Sequence, residues 1–270
     1  MSTKEVAAQF DQISKVYDQT RDPLDPATLE ALHRALGSAG VHGLLEVGVG
    51  TGRIAAPLIS RGVEVTGIDA SEGMLHRAHS KGIARLVRGS AYALPFPERA
   101  FDAALFVHVL HVLETPERAL AEGVRVGRAG AFAVVSNPSA GSSRGTSVEE
   151  PRRRVMEELR AAGFDLPDRG GPARADRRLI ERSPPQEMTI LGERDVTEPM
   201  SRRLESVALR GNRHTLAIPS AALDAAVAKV RAELGDREIT YHRVEALARW
   251  TQLPTPSAGE STASGAPTPP

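Results

Sequence analysis

The chain has 270 residues, enough for one large or two small domains with a sizeable core. Its 34 acidic and 34 basic residues cancel, so it offers no net positive field to a nucleic-acid backbone or an anionic membrane, and a neutral or weakly charged small molecule is the simpler partner. There is no cysteine, which excludes thiolate nucleophiles and iron–sulfur clusters and fits a reducing compartment. No apolar run is long enough to span a bilayer, and residues 1–11 show no basic stretch followed by an apolar core, so a cytoplasmic location is expected.

In chain order, residues 5–17 place Val6, Phe10, Ile13, Val16 and Tyr17 at three- and four-residue intervals, predicting a short amphipathic helix. Asp25 caps the next helix, with Pro26 at its first position and Leu29, Leu32 and Leu36 as its apolar stripe. Val41, Leu44, Leu45 and Val47 form a buried strand, and Ile54, Ala55, Leu58 and Ile59 resume at helical spacing. Between strand and helix stand Gly48, Gly50 and Gly52, which allow positive φ and close approach of a ligand to the backbone. The helix beyond them offers unpaired N–H groups to something polar or anionic. The turn is Glu46-x-Gly48-x-Gly50-x-Gly52, not the G-x-G-x-x-G that a dinucleotide-binding oxidoreductase needs.

Residues 63–68 give a second strand ending at Asp69, about 20 positions beyond the glycines, where a carboxylate can accept both hydroxyls of a ribose. Residues 84–89 and 101–107 give two more strands, the latter continuous and apolar, and residues 131–136 a fifth after a helix opened by Thr115 and Pro116. His108 and His111 lie at the carboxyl edge of the fourth strand, the edge at which open α/β sheets bind ligands. They have no adjoining third ligand, so no metal site is expected. His111 is read as a general base, a cofactor contact or a packing residue.

Beyond the fifth strand the signals thin. Asn137-Pro138-Ser139 is only a fragment of an amino-methylation signature on DNA and is set aside, and residues 139–147 are a Gly- and Ser-rich connection. Residues 151–163 look helical, with Arg152, Arg153 and Arg154 either a phosphate contact or a solvated face. Residues 164–185 resist placement, 188–196 suit a sixth strand, 198–234 two helices, and 239–250 alternate as an antiparallel edge strand would. Residues 251–270, rich in Pro, Ser, Thr and Ala, read as a disordered tail.

The glycine turn, the Asp69-x-Ser71-x-x-Met74-Leu75 segment, the Gly89-Ser90-Ala91-Tyr92-Ala93-Leu94-Pro95-Phe96 segment and the run from Phe101-Asp102 to His111 together resemble the class I S-adenosylmethionine-dependent methyltransferases, in particular their small-molecule branch. Ser90 departs from the family, which usually has an aspartate there. The resemblance is specific over residues 10–137 and holds only in outline over 150–250. It implies a doubly wound, mostly parallel seven-stranded α/β sheet with an antiparallel edge strand and a helical substrate-side insertion. It divides the chain into a lid and first helices at 1–40, a cofactor-binding core at 41–138, a C-terminal part of the fold at 139–250 and the tail.

The implied cofactor is S-adenosylmethionine and the implied partner a small-molecule methyl acceptor, with no nucleic acid and no membrane. In the family's pattern Gly48, Gly50 and Gly52 cradle the methionine part, Arg21 meets its carboxylate and Asp69 holds the ribose. Ala70, Met74, Ser90 and Ala91 border the adenine, and Tyr17, Glu46 and Val107 complete the cofactor site. The Tyr17-Asp18-x-x-Arg21 segment is expected either to fold over the pocket as a lid or simply to pack on the core. Arg210, Arg213, His214, Tyr241 and His242 are substrate-side candidates. A non-catalytic protein that keeps the fold and binds the cofactor is the alternative function.

Overall fold

The computed structural model describes residues 3–21, 24–137, 150–166, 172–209 and 215–253. Seven strands form one sheet in the order β3-β2-β1-β4-β5-β7-β6. The parallel part is β1 (Gly43–Val47), β2 (Glu64–Asp69), β3 (Leu86–Arg88), β4 (Ala103–Val107) and β5 (Ala131–Ser136). β1 and β4 are buried almost throughout because helices cover both faces of the sheet.

Alternate residues of each strand serve the two faces. Leu44, Leu105 and Val134 join one core with Leu29, Leu32 and Leu36 of α2 (Pro26–Ser38) and Leu58 of α3 (Ala55–Ile59). Leu45, Phe106 and Ala133 join the other, with Ala119 and Leu120 of α5 (Pro116–Val126) and Leu179 of α7 (Pro172–Arg182). The Asp25 cap forms as predicted, its carboxylate accepting from Thr28 N at 3.1 Å. α4 (Glu72–Ser80) is capped likewise by Ser71.

Two long strands complete the sheet. β7 (Glu238–Trp250) runs antiparallel to β5 and also to β6 (Glu187–Pro199). The residues that alternate as an edge strand therefore sit one position inside the margin, and β6 is outermost. Between β6 and β7 lies the expected helical insertion, α8 (Met200–Ala208) and α9 (Ser220–Leu234). With α6 (Glu150–Ala161) these helices form their own core around Val155, Leu159, Leu204, Leu223 and Val230. α7 forms inside the stretch that resisted placement. At the other end, α1 (Thr3–Ile13) docks on α4 through the Asp11 carboxylate, which accepts from Ser71 Oγ at 2.6 Å and Gly73 N at 2.8 Å. A 3-10 turn at Tyr17–Thr20 follows it. Arg210, Arg213 and His214, the Gly- and Ser-rich connection beyond Asn137, and all of the tail past Leu253 lie outside the described residues.

Candidate active site

The site lies at the carboxyl ends of β1, β2 and β4. Gly48, Gly50 and Gly52 take φ of 73°, 55° and 77°, the region where a side chain is strained. Their roles differ. A Cβ on Gly52 would lie 2.2 Å from Ile83 Cδ1, and one on Gly48 2.6 Å from Val109 Cγ2, so both are needed where the turn packs on its neighbours. A Cβ on Gly50 would meet only the Gly48 carbonyl at 3.9 Å, because this residue faces open space. The Gly50 amide donates to Asp69 Oδ2 at 2.9 Å and the Ser71 amide to Oδ1 at 2.8 Å. One carboxylate thus ties the end of β2 to the glycine turn and is itself held at a fixed angle. Burial pushes the Asp69 carboxyl above its ordinary value, against the pull of these amides.

Two cavities open here, of about 890 and about 510 Å3. The larger is the apolar one, lined by Phe10, Asp69, Ala70, Met74, Ser90 and Ala91 among others. The smaller contains Glu46, Arg53, Arg243 and Glu245. Tyr17, Gly48, Gly50, Val107 and His108 line both, so the two form one bent groove. The structure therefore brings Tyr17, Glu46, Gly48, Gly50, Asp69, Ala70, Met74, Ser90, Ala91 and Val107 together along the groove. Gly52 faces Ile83 and the core. Arg21 lines neither cavity; its guanidinium lies 4.7 Å over the Tyr17 ring and donates to Thr20 O at 3.3 Å.

Of the two histidines, His108 is the one that lines both cavities. His111 sits half-buried on a 3-10 turn, Leu110–Val112, and lines neither. His108 has a φ of 53°, a strained value for a residue with a side chain and one that clusters at functional sites. Desolvation first, then the guanidiniums of Arg243, Arg53 and Arg21, lower its pKa to about 4, so the ring is neutral at neutral pH. Glu46 is the opposite case. It is 2% exposed, burial and then the nearby Asp69 raise its pKa to about 8, and its Oε2 has no hydrogen-bond partner.

The N-terminal segment contributes Val6, Ala7 and Phe10 to the wall of the larger cavity. It is latched to the glycine turn by Asp18, whose Oδ1 accepts from Thr51 Oγ1 at 2.5 Å and Oδ2 from Lys81 Nζ at 2.6 Å. Ser90 lines the cavity while its Oγ accepts from Tyr92 N at 3.2 Å. The substrate-side candidates on β7 lie elsewhere. The Tyr241 hydroxyl accepts from Arg203 at 2.6 Å, and His242 is clamped between Asp195 at 2.8 Å and Glu193 at 2.9 Å, which raise its pKa. Asn137 ties β5 to β7 by a reciprocal pair with Val244, at 2.8 and 3.0 Å. Among the described residues no cluster of metal-ligating side chains occurs and no helix is long and apolar enough to cross a membrane.

The groove fits an adenosyl amino acid. Its apolar arm ends in a fixed carboxylate suited to ribose hydroxyls, its polar arm holds a buried carboxylate oxygen still lacking a donor, and Gly50 leaves the bend open to a ligand. Comparison with known proteins points to the same cofactor. A methyltransferase domain family matches residues 45–135. A demethylmenaquinone methyltransferase of Renibacterium salmoninarum is 34% identical over 148 residues, which are 52% of this chain and 62% of the relative. A phosphatidylethanolamine N-methyltransferase of Cereibacter sphaeroides is 41% identical over 101 residues, 35% of this chain and 49% of the relative. An uncharacterized protein of Methanocaldococcus jannaschii is 30% identical over 172 residues, 57% of this chain and 80% of the relative. The chain thus spans about half to three-fifths of the length of the two named methyltransferases. On the glycine turn, the Asp69 anchor and these matches, the chain belongs to the class I S-adenosylmethionine-dependent methyltransferases, whose cofactor is S-adenosylmethionine.

Proposed function

We propose that the protein transfers a methyl group to an oxygen, nitrogen or carbon atom of a small organic molecule. The observation that carries this reading is the Gly50 amide on Asp69 at 2.9 Å, which joins glycine turn and ribose-binding carboxylate into one rigid unit at the bend of the groove. When bound, S-adenosylmethionine supplies an activated methyl group on a sulfonium, so displacement depends chiefly on alignment of donor and acceptor. The residues of this chain have three tasks. The glycine turn and Asp69 fix the donor, Phe10 and Tyr17 exclude water from above it, and the surface around Val107 and His108 receives the acceptor.

His108 supports this placement because a neutral imidazole offers a ring nitrogen to an acceptor O–H or N–H. With a pKa near 4 it orients the acceptor by that hydrogen bond and does not retain the proton at neutral pH. A small-molecule acceptor also suits the balanced charge of the chain.

Calorimetric titration with S-adenosylmethionine, S-adenosylhomocysteine and NAD, repeated on Asp69→Ala, tests the reading. Binding of both adenosyl compounds and not NAD, weakened at least about tenfold in the variant, is expected. Binding of NAD alone, or of none of the three, overturns it.

A further inference from the structure

The polar arm of the groove contains residues that no methyltransferase motif covers. Arg243 and Glu245 come from β7, far outside the matched residues 45–135, yet they line the same cavity as Glu46 and the glycine turn. Alternation along the strands puts them on one face of the sheet. Leu45 and Val47 on either side of Glu46 turn toward the α5–α7 core, and Leu247, two residues from Glu245, turns toward the α2–α3 core. Glu46 and Glu245 therefore approach the cavity from the same side, and antiparallel pairing of Glu245 with Ser136 brings it to the carboxyl end of β5.

Glu245 is 2% exposed. Its Oε1 is 3.4 Å from Arg243 Nε, and its Oε2 is buried without a hydrogen-bond partner. Glu46 Oε2 is in the same condition in the same cavity. A buried carboxylate oxygen left without a donor keeps the cost of its lost hydration, and two of them in one cavity point to a ligand that brings donors. Arg53 and Arg243 beside them supply donors for an acceptor group. Carboxylates and guanidiniums facing one small space are the complement of a group that is both ammonium and carboxylate. A simple cation would meet the guanidiniums, and a simple anion would meet Glu245.

We propose that Arg243 and Glu245 of β7 complete the receptor for the zwitterionic amino-acid end of the cofactor, Glu245 with Glu46 taking its ammonium and Arg243 with Arg53 its carboxylate. This rests on the reading of the groove as a cofactor site. It makes the C-terminal antiparallel strand part of cofactor binding and leaves the surface near Val107 and His108 to the acceptor.

The test compares S-adenosylhomocysteine, which keeps the amino-acid end, with 5′-methylthioadenosine, which lacks it, by calorimetric titration of the full chain and of Glu245→Gln and Arg243→Met. Thermal unfolding of each variant is recorded alongside. The expected result is a loss of at least about tenfold in affinity for S-adenosylhomocysteine in each variant, with 5′-methylthioadenosine affinity changed less than about twofold. Equal weakening of both ligands, or S-adenosylhomocysteine binding unchanged in both variants, overturns the proposal. Failure of both ligands to bind the parent chain overturns the cofactor reading itself. Should Glu245→Gln not fold, Arg243→Met alone decides, since its stem preserves most of the apolar contact.

Discussion

The parallel half of the sheet and the part that follows it are built on different logic. From β1 to β5 each site residue is placed by its own neighbourhood: a strand end, a turn needing positive φ, a helix start, and a carboxylate 19 positions from the amide it accepts. Beyond residue 150 the placing contacts span the chain. Asn137 and Val244 are 107 positions apart, Arg249 donates to the Ala129 carbonyl 120 positions away, and Trp250 Nε1 donates to the Ser183 carbonyl. Local rules can build half a groove. The other half arrives only when β7 pairs with β5, and that pairing delivers Arg243 and Glu245.

If the two parts form one cooperative unit, the largest effect comes from cutting the tie between them. Trp250 is fully buried in the same core as Phe106 and Leu120, although it ends the last strand. Trp250→Ala is expected to destabilise the whole chain by about 3–5 kcal/mol, in a single denaturant transition followed by circular dichroism. Two resolved transitions, with the parallel part unfolding at its original midpoint, would break the comparison by showing that the halves are independent.

Within the parallel half, the glycines separate packing from binding. Gly52→Ala forces a side chain into positive φ and onto Ile83, so a loss of about 2–4 kcal/mol in stability is expected. Gly50→Ala meets open space and carries only the backbone strain, about 1–2 kcal/mol, but projects a methyl group into the groove. Its main effect is on S-adenosylhomocysteine affinity. Equal stability losses for the two variants would show that the turn is one packing unit with no side open to ligand.

How much of this was legible follows from the same contrast. β1, β4 and the glycine turn are plain because a strand buried on both faces must be continuously apolar and because positive φ selects glycine. His108 is not plain. Its left-handed backbone has no glycine to announce it, so the sequence reading favours His111 of the pair. α7 was hidden because Arg and Pro crowd its sequence and Leu179 carries much of its packing alone. The alternation of β7 marks a strand, but alternation says nothing about which neighbours flank it, so Glu245 carried no signal of its role.

Glu46 extends the contrast to pH. With a folded pKa of about 8 against an ordinary 4.5, the ligand-free folded state binds this proton more tightly than the unfolded state does. Unfolding then releases a proton between these values, and stability falls as pH rises from about 4.5 to about 8, with no further change above. Glu46→Gln removes that dependence. The variant is expected to gain on the parent progressively toward alkaline pH, by up to about 5 kcal/mol, and to match it near pH 4.5. A constant difference across the range would mean that the carboxyl is not held protonated by the fold.

The smallest effect on stability belongs to the N-terminal strap, and it decides whether the strap is a lid or plain packing. Burial works to raise the Asp18 pKa, but the hydrogen bonds from Lys81 and Thr51 outweigh it and hold the carboxyl below its ordinary value. The latch is half exposed, with Asp18 at 41% and Lys81 at 35%, so solvent screens it and its loss costs under about 1 kcal/mol globally. Asp18→Ala is therefore expected to leave the unfolding midpoint almost unchanged. Amide exchange across residues 3–20 should nonetheless accelerate several-fold, because the Thr51 and Lys81 contacts are what bind the strap to the glycine turn. S-adenosylhomocysteine added at saturation should slow that exchange again if the strap closes over the ligand, since Phe10 and Tyr17 then gain a surface to pack on. Plain packing predicts the reverse pattern, in which exchange of 3–20 tracks global unfolding in both proteins and ligand makes no difference beyond its effect on the whole chain.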